Sequence, residues 1–198
     1  GSGLVLWLDG ADASTMNDAT AGGSLVAADG SIARWEDKSS SANHATQATA
    51  SLQPTRKVSQ VNGEDAVSFA TDRMPLNSSF NLSDYTIFFV IQRSSTGINS
   101  IPGGQISGTV ASYPFIWFTD NIKYYLEIDN EAVSRGFRYG SADTATGEFV
   151  STVFCRGLSG NVQAWHDGAL QSLASLLNTG NANFAQIGAR DSSLHSGL

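Results

Sequence analysis

The sequence predicts an all-β protein, a two-sheet antiparallel β-sandwich with jelly-roll topology. Short apolar runs alternate with turn-forming residues along the whole chain, and the composition is poor in helix-forming residues. Glycine accounts for 20 of the 198 residues, and only 15% of residues are charged. Such a composition suits strands joined by many turns, because helices would need more Glu, Lys, Leu and Arg. The 41% of hydrophobic residues is enough to form a sizeable core.

Nine segments have the length and residue types of strands. The predicted strands are residues 4–8, 32–36, 65–69, 85–92, 115–119, 122–128, 148–156, 161–166 and 184–189. Turn-forming residues lie between them, at Asp29-Gly30, Asn62-Gly63, Pro102-Gly103-Gly104 and Asp167-Gly168. The last pair predicts a hairpin over residues 161–172, with a two-residue turn between its strands.

Residues 4–198 are expected to form one domain, since all-β sandwiches of this size usually have a single core. The first three residues, Gly-Ser-Gly, are typical of a tag or linker remnant. Trp7 and Trp35 are predicted to be core residues. The segment 85–92, YTIFFVIQ, is apolar on both faces, which predicts a strand buried on both sides. Its second face is expected to lie under loops or to line a concave groove.

The net charge of −7 limits the classes of partner. An acidic chain is repelled by the phosphates of nucleic acids and by anionic membranes, so neither is an expected partner. No apolar stretch is long enough to span a bilayer, which predicts no membrane insertion. The single cysteine, Cys155, excludes an internal disulfide and is expected to pack as a small hydrophobic residue.

Two polar turns offer oxygen ligands for a metal ion. Hard carboxylate and amide oxygens from neighbouring loops suit calcium, which is therefore the one cofactor expected. The candidate ligands are Asp9, Asp12, Asp37 and Asn43. An alternative is that Asp9 and Asp37 accept hydrogen bonds from turn backbone, as Asx residues often do.

Aromatic and planar polar side chains predict a carbohydrate-binding surface. A sugar ring stacks on a flat aromatic face, and planar polar groups nearby bind its hydroxyls. The predicted binding residues are Trp117, Tyr125, Tyr139, Arg138, His166 and Asp167. Tyr125 shares a face of its predicted strand with Lys123 and Glu127, which favours its exposure.

The segment 127–131 carries three carboxylates at alternate positions: Glu127, Asp129 and Glu131. Alternation in a strand puts them on one face, and a retaining glycosidase needs two close carboxyl groups with separated pKa values. A hydrolase is therefore one alternative. The other is a solvated acidic face beside Lys123.

The order of several segments resembles the laminin G-like branch of the concanavalin A-like lectin/glucanase superfamily. The matching segments are residues 4–15, 33–47, 61–69, 85–93, 161–168 and 184–190. The resemblance implies a jelly roll that acts as a non-catalytic binding or assembly module of bacterial surface, secreted or phage virion proteins. Retaining laminarinase-type glucanases share the fold. By resemblance to them, Glu127 is the nucleophile, Glu131 the acid/base and Asp129 the residue that tunes both.

Three functions follow as hypotheses. The first is a non-catalytic carbohydrate-binding or attachment module with an extracellular, cell-surface or virion-surface location. The second is a structural module whose sheet is completed by a neighbouring chain. Related domains continue with a further strand after the segment matching 184–190, so we expect an open sheet edge there. The third is a glucanase-like hydrolase.

Overall fold

The structure is a computed structural model. It describes residues 3–82, 85–92, 99–100, 102–103, 114–119, 123–128, 136–139, 149–156, 162–170 and 182–188. Side chains are described for residues 3–80, 85–92, 163, 165, 167–170 and 184–188, and the remaining described residues are defined by backbone pairing.

Strands form nearly all of the regular structure in the described residues. The first eight are β1 (Met16–Ala19), β2 (Gly22–Leu25), β3 (Arg34–Trp35), β4 (Ala45–Thr46), β5 (Thr55–Val61), β6 (Glu64–Ser68), β7 (Arg73–Leu82) and β8 (Tyr85–Gln92). The others are β9 (Asn99–Ser100), β10 (Pro102–Gly103), β11 (Pro114–Thr119), β12 (Lys123–Ile128), β13 (Gly136–Tyr139), β14 (Phe149–Arg156), β15 (Val162–His166), β16 (Ala169–Leu170) and β17 (Ala182–Gly188). Two three-residue 3-10 turns, Ala13–Thr15 and Ala50–Leu52, are the helical elements of this part of the chain.

The strands pair into four sheets. The largest has the order β10-β17-β7-β4-β3-β1-β2, and two four-stranded sheets have the orders β13-β12-β11-β9 and β16-β15-β14-β8. β5 and β6 form a separate two-stranded sheet. Neighbouring strands whose register is defined run antiparallel. The fold class is therefore all-β and antiparallel, as predicted, and it is consistent with a β-sandwich.

The chain divides into two compact units, Gly1–Ser79 with Ala185–Leu198, and Phe80–Phe184. In the first unit, Met16, Ile32 and Met74 are fully buried and form the centre of the core. They are surrounded by other buried apolar residues, namely Val26, Ala33, Trp35, Ala45 and Leu76.

The second unit has an aromatic cluster in its described part. Phe80 stacks on Phe184 with 5.3 Å between ring centroids. Tyr85 meets the same Phe184 ring edge-on at 6.2 Å. The two pairs therefore adopt the stacked and the edge-on geometries that aromatic side chains prefer.

Two predicted turns are confirmed, and both join the strands of a hairpin, although a hairpin was predicted only for the second. Asn62 and Gly63 join β5 to β6 with φ values of 51° and 88°. Asp167 and Gly168 join β15 to β16 with φ values of 45° and 79°. Positive φ at both central positions is the primed turn that matches strand twist, and Asn-Gly and Asp-Gly favour it. The prediction of a turn at Pro102-Gly103 is wrong, because both residues belong to β10.

The predicted strand at residues 4–8 is also wrong. Trp7 donates its backbone N–H to the Asp37 carboxylate at 2.7 Å and accepts from the Lys38 N–H at 2.9 Å. The Asn43 side chain donates to the Val5 carbonyl at 2.9 Å. A loop thus satisfies this backbone without a partner strand. Trp7 is 47% exposed, so its prediction as a core residue fails, whereas Trp35 is 8% exposed as predicted.

One face of β8 differs from the prediction. Ile87, Phe89 and Ile91 are half-buried, but Phe88 is 74% exposed and Val90 is 67% exposed. The strand matches the predicted bounds 85–92, yet only one of its faces is covered. Hydrophobic residues on both faces therefore did not indicate burial on both faces.

The edge expected to be open at residues 184–190 is partly covered in the structure, by the two-residue strand β10. Residues 184–188 belong to β17, which lies between β10 and β7 in the seven-stranded sheet. Residues 189–190 lie outside the described part of the chain. β10 is only two residues long, and such short segments rich in Pro and Gly are hard to recognise as strands.

We expect Gly188→Ala to destabilise the protein far more than Gly63→Ala. Both glycines have positive φ, at 91° and 88°, so both substitutions impose a similar backbone cost of about 1 kcal/mol. A Cβ on Gly188 would lie 2.5 Å from the Asp72 carbonyl oxygen and 2.6 Å from the Phe69 ring, whereas a Cβ on Gly63 meets nothing within 4 Å. Urea unfolding of both variants measures the difference, and equal losses would contradict the packing described at Gly188.

Candidate functional site

Three of the predicted sugar-binding residues occupy neighbouring positions on adjacent strands. Trp117 of β11 pairs with Tyr125 of β12, and Tyr125 pairs with Arg138 of β13. Directly paired residues share one face of a sheet, with Cβ atoms roughly 5 Å apart. We call these three residues the aromatic row.

Further positions share the face of the aromatic row. Ser100 of β9 pairs with Trp117, and it extends the row to the fourth strand. Glu127 lies two residues beyond Tyr125 and pairs with Phe115 and Gly136. The face therefore combines aromatic residues with a guanidinium and a carboxylate, which are the group types that bind sugar rings and hydroxyls.

The other predicted sugar-binding residues lie elsewhere. Tyr139 pairs with Tyr124, one position along from the Tyr125–Arg138 pair, which places it on the opposite face of the same sheet. His166 ends β15 and Asp167 is an exposed turn residue, so both belong to the sheet β16-β15-β14-β8. The structure therefore brings three of the six residues together. The sequence did not show which three would be neighbours, because they are separated along the chain.

Of the three predicted catalytic carboxylates, only Glu127 lies within the described residues. It occupies the fifth position of β12, on the face of the aromatic row. Asp129 and Glu131 lie outside the described part of the chain. The hydrolase interpretation thus has one positioned carboxylate, while the reaction needs two.

Asp37 is a buried carboxylate whose oxygens are fully engaged. One oxygen accepts from the N–H groups of Trp7 and Ser39, at 2.7 and 2.9 Å. The other accepts from the Ser39 hydroxyl at 2.6 Å and from the Asn43 N–H at 2.8 Å. These four hydrogen bonds connect the N-terminal segment to the loop that follows Trp35. This is the Asx-type alternative considered for Asp37.

The pKa of Asp37 reflects two opposing effects. Burial disfavours the charged carboxylate and raises the pKa, while the hydrogen bonds from Ser39, Trp7 and Asn43 favour the charge. The hydrogen bonds prevail, and the pKa lies below its ordinary value of 3.8. Asp37 is therefore ionised at neutral pH and stabilises the fold in that form.

Asp9 and Asp12 face the ammonium group of Lys38. Its Nζ lies 2.8 Å from an oxygen of each carboxylate. The hydrogen bonds from Lys38 and then Ser14 lower the pKa of Asp12 to about 2, and the carboxylates raise the pKa of Lys38. The same ammonium lies 4.7 Å from the centre of the Trp7 ring, a cation–π contact.

The four predicted calcium ligands are thus engaged with protein groups. Asp9 and Asp12 bind Lys38, Asp37 accepts four hydrogen bonds, and the Asn43 amide donates to Val5. Among the described side chains, no group of three or more His, Cys, Asp or Glu is arranged to hold a metal ion. Calcium binding stays a prediction, and it requires the ion to displace Lys38.

Comparisons with known proteins do not assign an activity. No family model matches the sequence, and no curated protein matches it. One similar solved structure is a prokaryotic β-1,3-1,4-glucanase (lichenase) derived from a mouse hindgut metagenome, with 14% identity and a TM-score of 0.38 over 66% of this chain. Another is the β-glucanase of Bacillus licheniformis, with 14% identity and a TM-score of 0.40 over 73% of this chain.

The alignments cover 62% of the metagenomic enzyme and 70% of the Bacillus enzyme, so this chain spans less than two thirds of the first. Both similar structures are β-glucanases. The assignments to the concanavalin A-like superfamily and to its laminin G-like branch stay predictions. None of the described helical segments has the length or hydropathy needed to cross a bilayer.

We expect Asp37→Asn to lower the free energy of unfolding by about 3 kcal/mol at pH 7, because an amide can no longer accept all four hydrogen bonds. A lowered pKa means that the charged carboxylate stabilises the fold above pH 3.8, and that this contribution is lost as the pH falls through the pKa of the folded state. The difference between variant and wild type should therefore shrink in acid. Denaturant unfolding of both proteins, from pH 7 down through the pKa of Asp37, measures this difference in the free energy of unfolding.

Asp18→Asn is the control for that experiment. Asp18 is exposed and accepts one backbone hydrogen bond, from Ser24. Its substitution should cost less than about 1 kcal/mol. Similar losses for both variants at pH 7 would show that Asp37 is not the anchor of this loop.

We expect Lys38→Met to raise the affinity for calcium at least tenfold. The substitution keeps an unbranched side chain but removes the ammonium that occupies the Asp9 and Asp12 carboxylates. Lys57→Met is the control, since Lys57 pairs with Asp29 alone. Titration calorimetry with calcium measures the change, and equal affinity in the Lys38 variant and the wild type would argue against a calcium site at these carboxylates.

Proposed function

We propose that this chain is a non-catalytic carbohydrate-binding or attachment module of a larger secreted, cell-surface or virion protein. The observation that carries the proposal is the register Trp117–Tyr125–Arg138 across three adjacent strands. This register brings an indole, a phenol ring and a guanidinium to consecutive positions on one face. Calcium, if bound, takes the place of Lys38 between Asp9 and Asp12.

The chemistry of the aromatic row suits a sugar ring. One face of a pyranose consists largely of C–H groups, which pack on the π-face of Trp or Tyr. The Arg guanidinium presents five donors in a planar fork, which suits neighbouring hydroxyls. Residues fixed by strand pairing lose little freedom on binding, and this preorganisation favours affinity.

The electrostatics favour a neutral glycan over a polyanion. The whole chain carries a net charge of −7, which repels anionic polymers over the range of a Debye length. Arg138 and Lys123 are the basic residues at described positions of this face, and Glu127 shares it. Two cations and a carboxylate do not make the strongly basic surface that an acidic polysaccharide would need.

The two roles, binding and hydrolysis, differ in the carboxylates that they need on this face. Glu127 is the one carboxylate at the described positions that share the face of the aromatic row. A retaining glycosidase needs a nucleophile and an acid/base about 5 Å apart. A stacked sugar on the aromatic row needs neither.

We expect Arg138→Met to weaken glycan binding at least tenfold, while Tyr139→Phe leaves it unchanged. The first substitution removes the guanidinium and keeps an apolar stem. The second removes a hydroxyl from the adjacent residue, which lies on the opposite face of β13. A glycan-array screen with and without calcium identifies the ligand, and calorimetry with that glycan measures the loss.

Tyr125→Ala should weaken binding by a similar or larger factor, since it removes the central ring of the row. Thermal unfolding of each variant checks that the fold is intact. Equal binding by the wild type and the Arg138 and Tyr125 variants would overturn this placement of the site. Release of reducing sugar from β-glucan by the wild type, lost in Glu127→Gln, would instead establish a hydrolase.

A further inference from the structure

Trp7 is an exposed aromatic residue on a well-anchored part of the N-terminal unit. It is 47% exposed. Its backbone N–H donates to the Asp37 carboxylate at 2.7 Å, and its carbonyl accepts from the Lys38 N–H at 2.9 Å. Earlier in the same segment, the Asn43 side chain donates to the Val5 carbonyl at 2.9 Å. The backbone that carries the indole is therefore fixed before any ligand arrives, and such preorganisation lowers the entropic cost of binding.

The other tryptophan of this unit, Trp35, has the environment of a core residue. Trp35 is 8% exposed, and its Nε1–H donates to the Asp9 carbonyl oxygen, with 3.4 Å between the two atoms. A buried indole usually finds such a partner. Among the described residues, nothing accepts a hydrogen bond from the Nε1–H of Trp7. About half of the Trp7 surface and its indole N–H are therefore available to a ligand.

Charged groups of both signs lie beside the Trp7 ring. The Lys38 ammonium is 4.7 Å from the ring centroid, and its Nζ is 2.8 Å from an oxygen of Asp9 and of Asp12. The side chains of Lys38 and Asp9 are 27% exposed and that of Asp12 is 30% exposed, so solvent reaches all three. An ammonium has three donors, and each carboxylate oxygen accepts more than one hydrogen bond. The ring is therefore flanked by donors and acceptors with unused capacity.

We propose that this ring and the three charged groups beside it bind one neutral sugar residue, as a second saccharide site of the chain. We call Trp7, Lys38, Asp9 and Asp12 the Trp7 site. The C–H face of a pyranose packs on the indole, while its hydroxyls donate to the carboxylates and accept from the ammonium and the indole N–H. Hydrogen bonds with one charged partner are stronger than neutral ones. The inference shares the ligand class of the proposed function but not its site, since the aromatic row belongs to the other unit.

Other classes of ligand suit the Trp7 site less well. Two carboxylates against one ammonium leave an excess of negative charge, which repels an anionic ligand. A cationic ligand has to displace the Lys38 ammonium, which both carboxylates already bind. An apolar ligand would remove water from the charged groups without replacing its hydrogen bonds, which is costly. The hydroxyls of a neutral sugar replace those hydrogen bonds.

NMR titration of isotope-labelled wild type tests the proposal, with the methyl glycosides of glucose, galactose, mannose and N-acetylglucosamine as probes. The chain has four tryptophans, so four indole N–H signals report on four places, and single Trp→Phe variants assign them. We expect at least one glycoside to shift the Trp7 signal saturably, with a Kd on the order of 1 mM, as suits a small exposed site. Glycerol, which has hydroxyls but no ring face, should not shift it. The proposal is overturned if none of the four glycosides moves the Trp7 signal, or if glycerol moves it equally.

Substitution of Trp7 tests whether the ring is the platform. Followed by the backbone N–H signals of Lys38 and Asp12, Trp7→Ala should weaken binding at least tenfold, and Trp7→Phe should weaken it less because a smaller ring remains. Leu4→Ala is the matched control, since Leu4 is 50% exposed in the same segment and takes no part in the ion pairs. Equal weakening by the Leu4 and Trp7 alanine variants would contradict the proposal. Thermal unfolding checks each fold, and the titration of the wild type decides where a variant is unstable.

The Trp117 signal separates this inference from the proposed function, because Trp117 belongs to the aromatic row. A glycoside that shifts the Trp117 signal and not the Trp7 signal would overturn the Trp7 site and leave the row standing. The reverse result would support the Trp7 site and count against the row. Where both signals shift, Tyr125→Ala should abolish only the Trp117 shift. Loss of both shifts in that variant would show that Trp7 merely responds to binding elsewhere, and the Trp7 site would be rejected.

Discussion

The two-residue periodicity of antiparallel pairing determines what each face of these sheets carries. On β12, Tyr125 and Glu127 share a face with Trp117 and Arg138, while Tyr124 pairs with Tyr139 on the other. On β8 the same alternation separates the exposed Phe88 from its half-buried neighbours. A slip of one residue in either pairing would move every one of these groups to the opposite face. The proposed glycan site therefore depends on register.

In the N-terminal unit, hydrogen bonds to a side chain, and not strand pairing, hold part of the backbone in place. There the buried carboxylate of Asp37 accepts hydrogen bonds from backbone groups of two segments that are thirty residues apart. Lys38 adds ion pairs to Asp9 and Asp12. Exposed ion pairs contribute little by themselves, whereas a buried carboxylate with four donors is costly to remove. The acidic residues that indicated a metal site in the sequence thus hold a loop in place. An ammonium group balances part of their charge.

The sequence predicted β8 and the turn after β15 well because their signals are local. The bounds of β8 match residues 85–92, and the Asp167-Gly168 turn has the backbone expected for that pair. It missed β1 and β2, whose sequences MNDA and GGSL have little apolar character. It mistook residues 4–8 for a strand because an apolar run looks the same whether a strand or a polar loop satisfies its backbone. The aromatic row was only partly predictable, since pairing partners come from distant parts of the chain.

The pairing of β12 with β13 is tested most directly by disulfide formation in a Cys155→Ser background. Directly paired residues on one face bring their Cβ atoms close enough for a disulfide after small adjustments, whereas residues on opposite faces do not. The register described here predicts that Cys substitutions at Tyr125 and Arg138 form a cross-link under mild oxidation, and that substitutions at Tyr125 and Tyr139 do not. Cross-linking of the second pair in preference to the first would show that Arg138 lies on the other face, and the proposed glycan site would be lost.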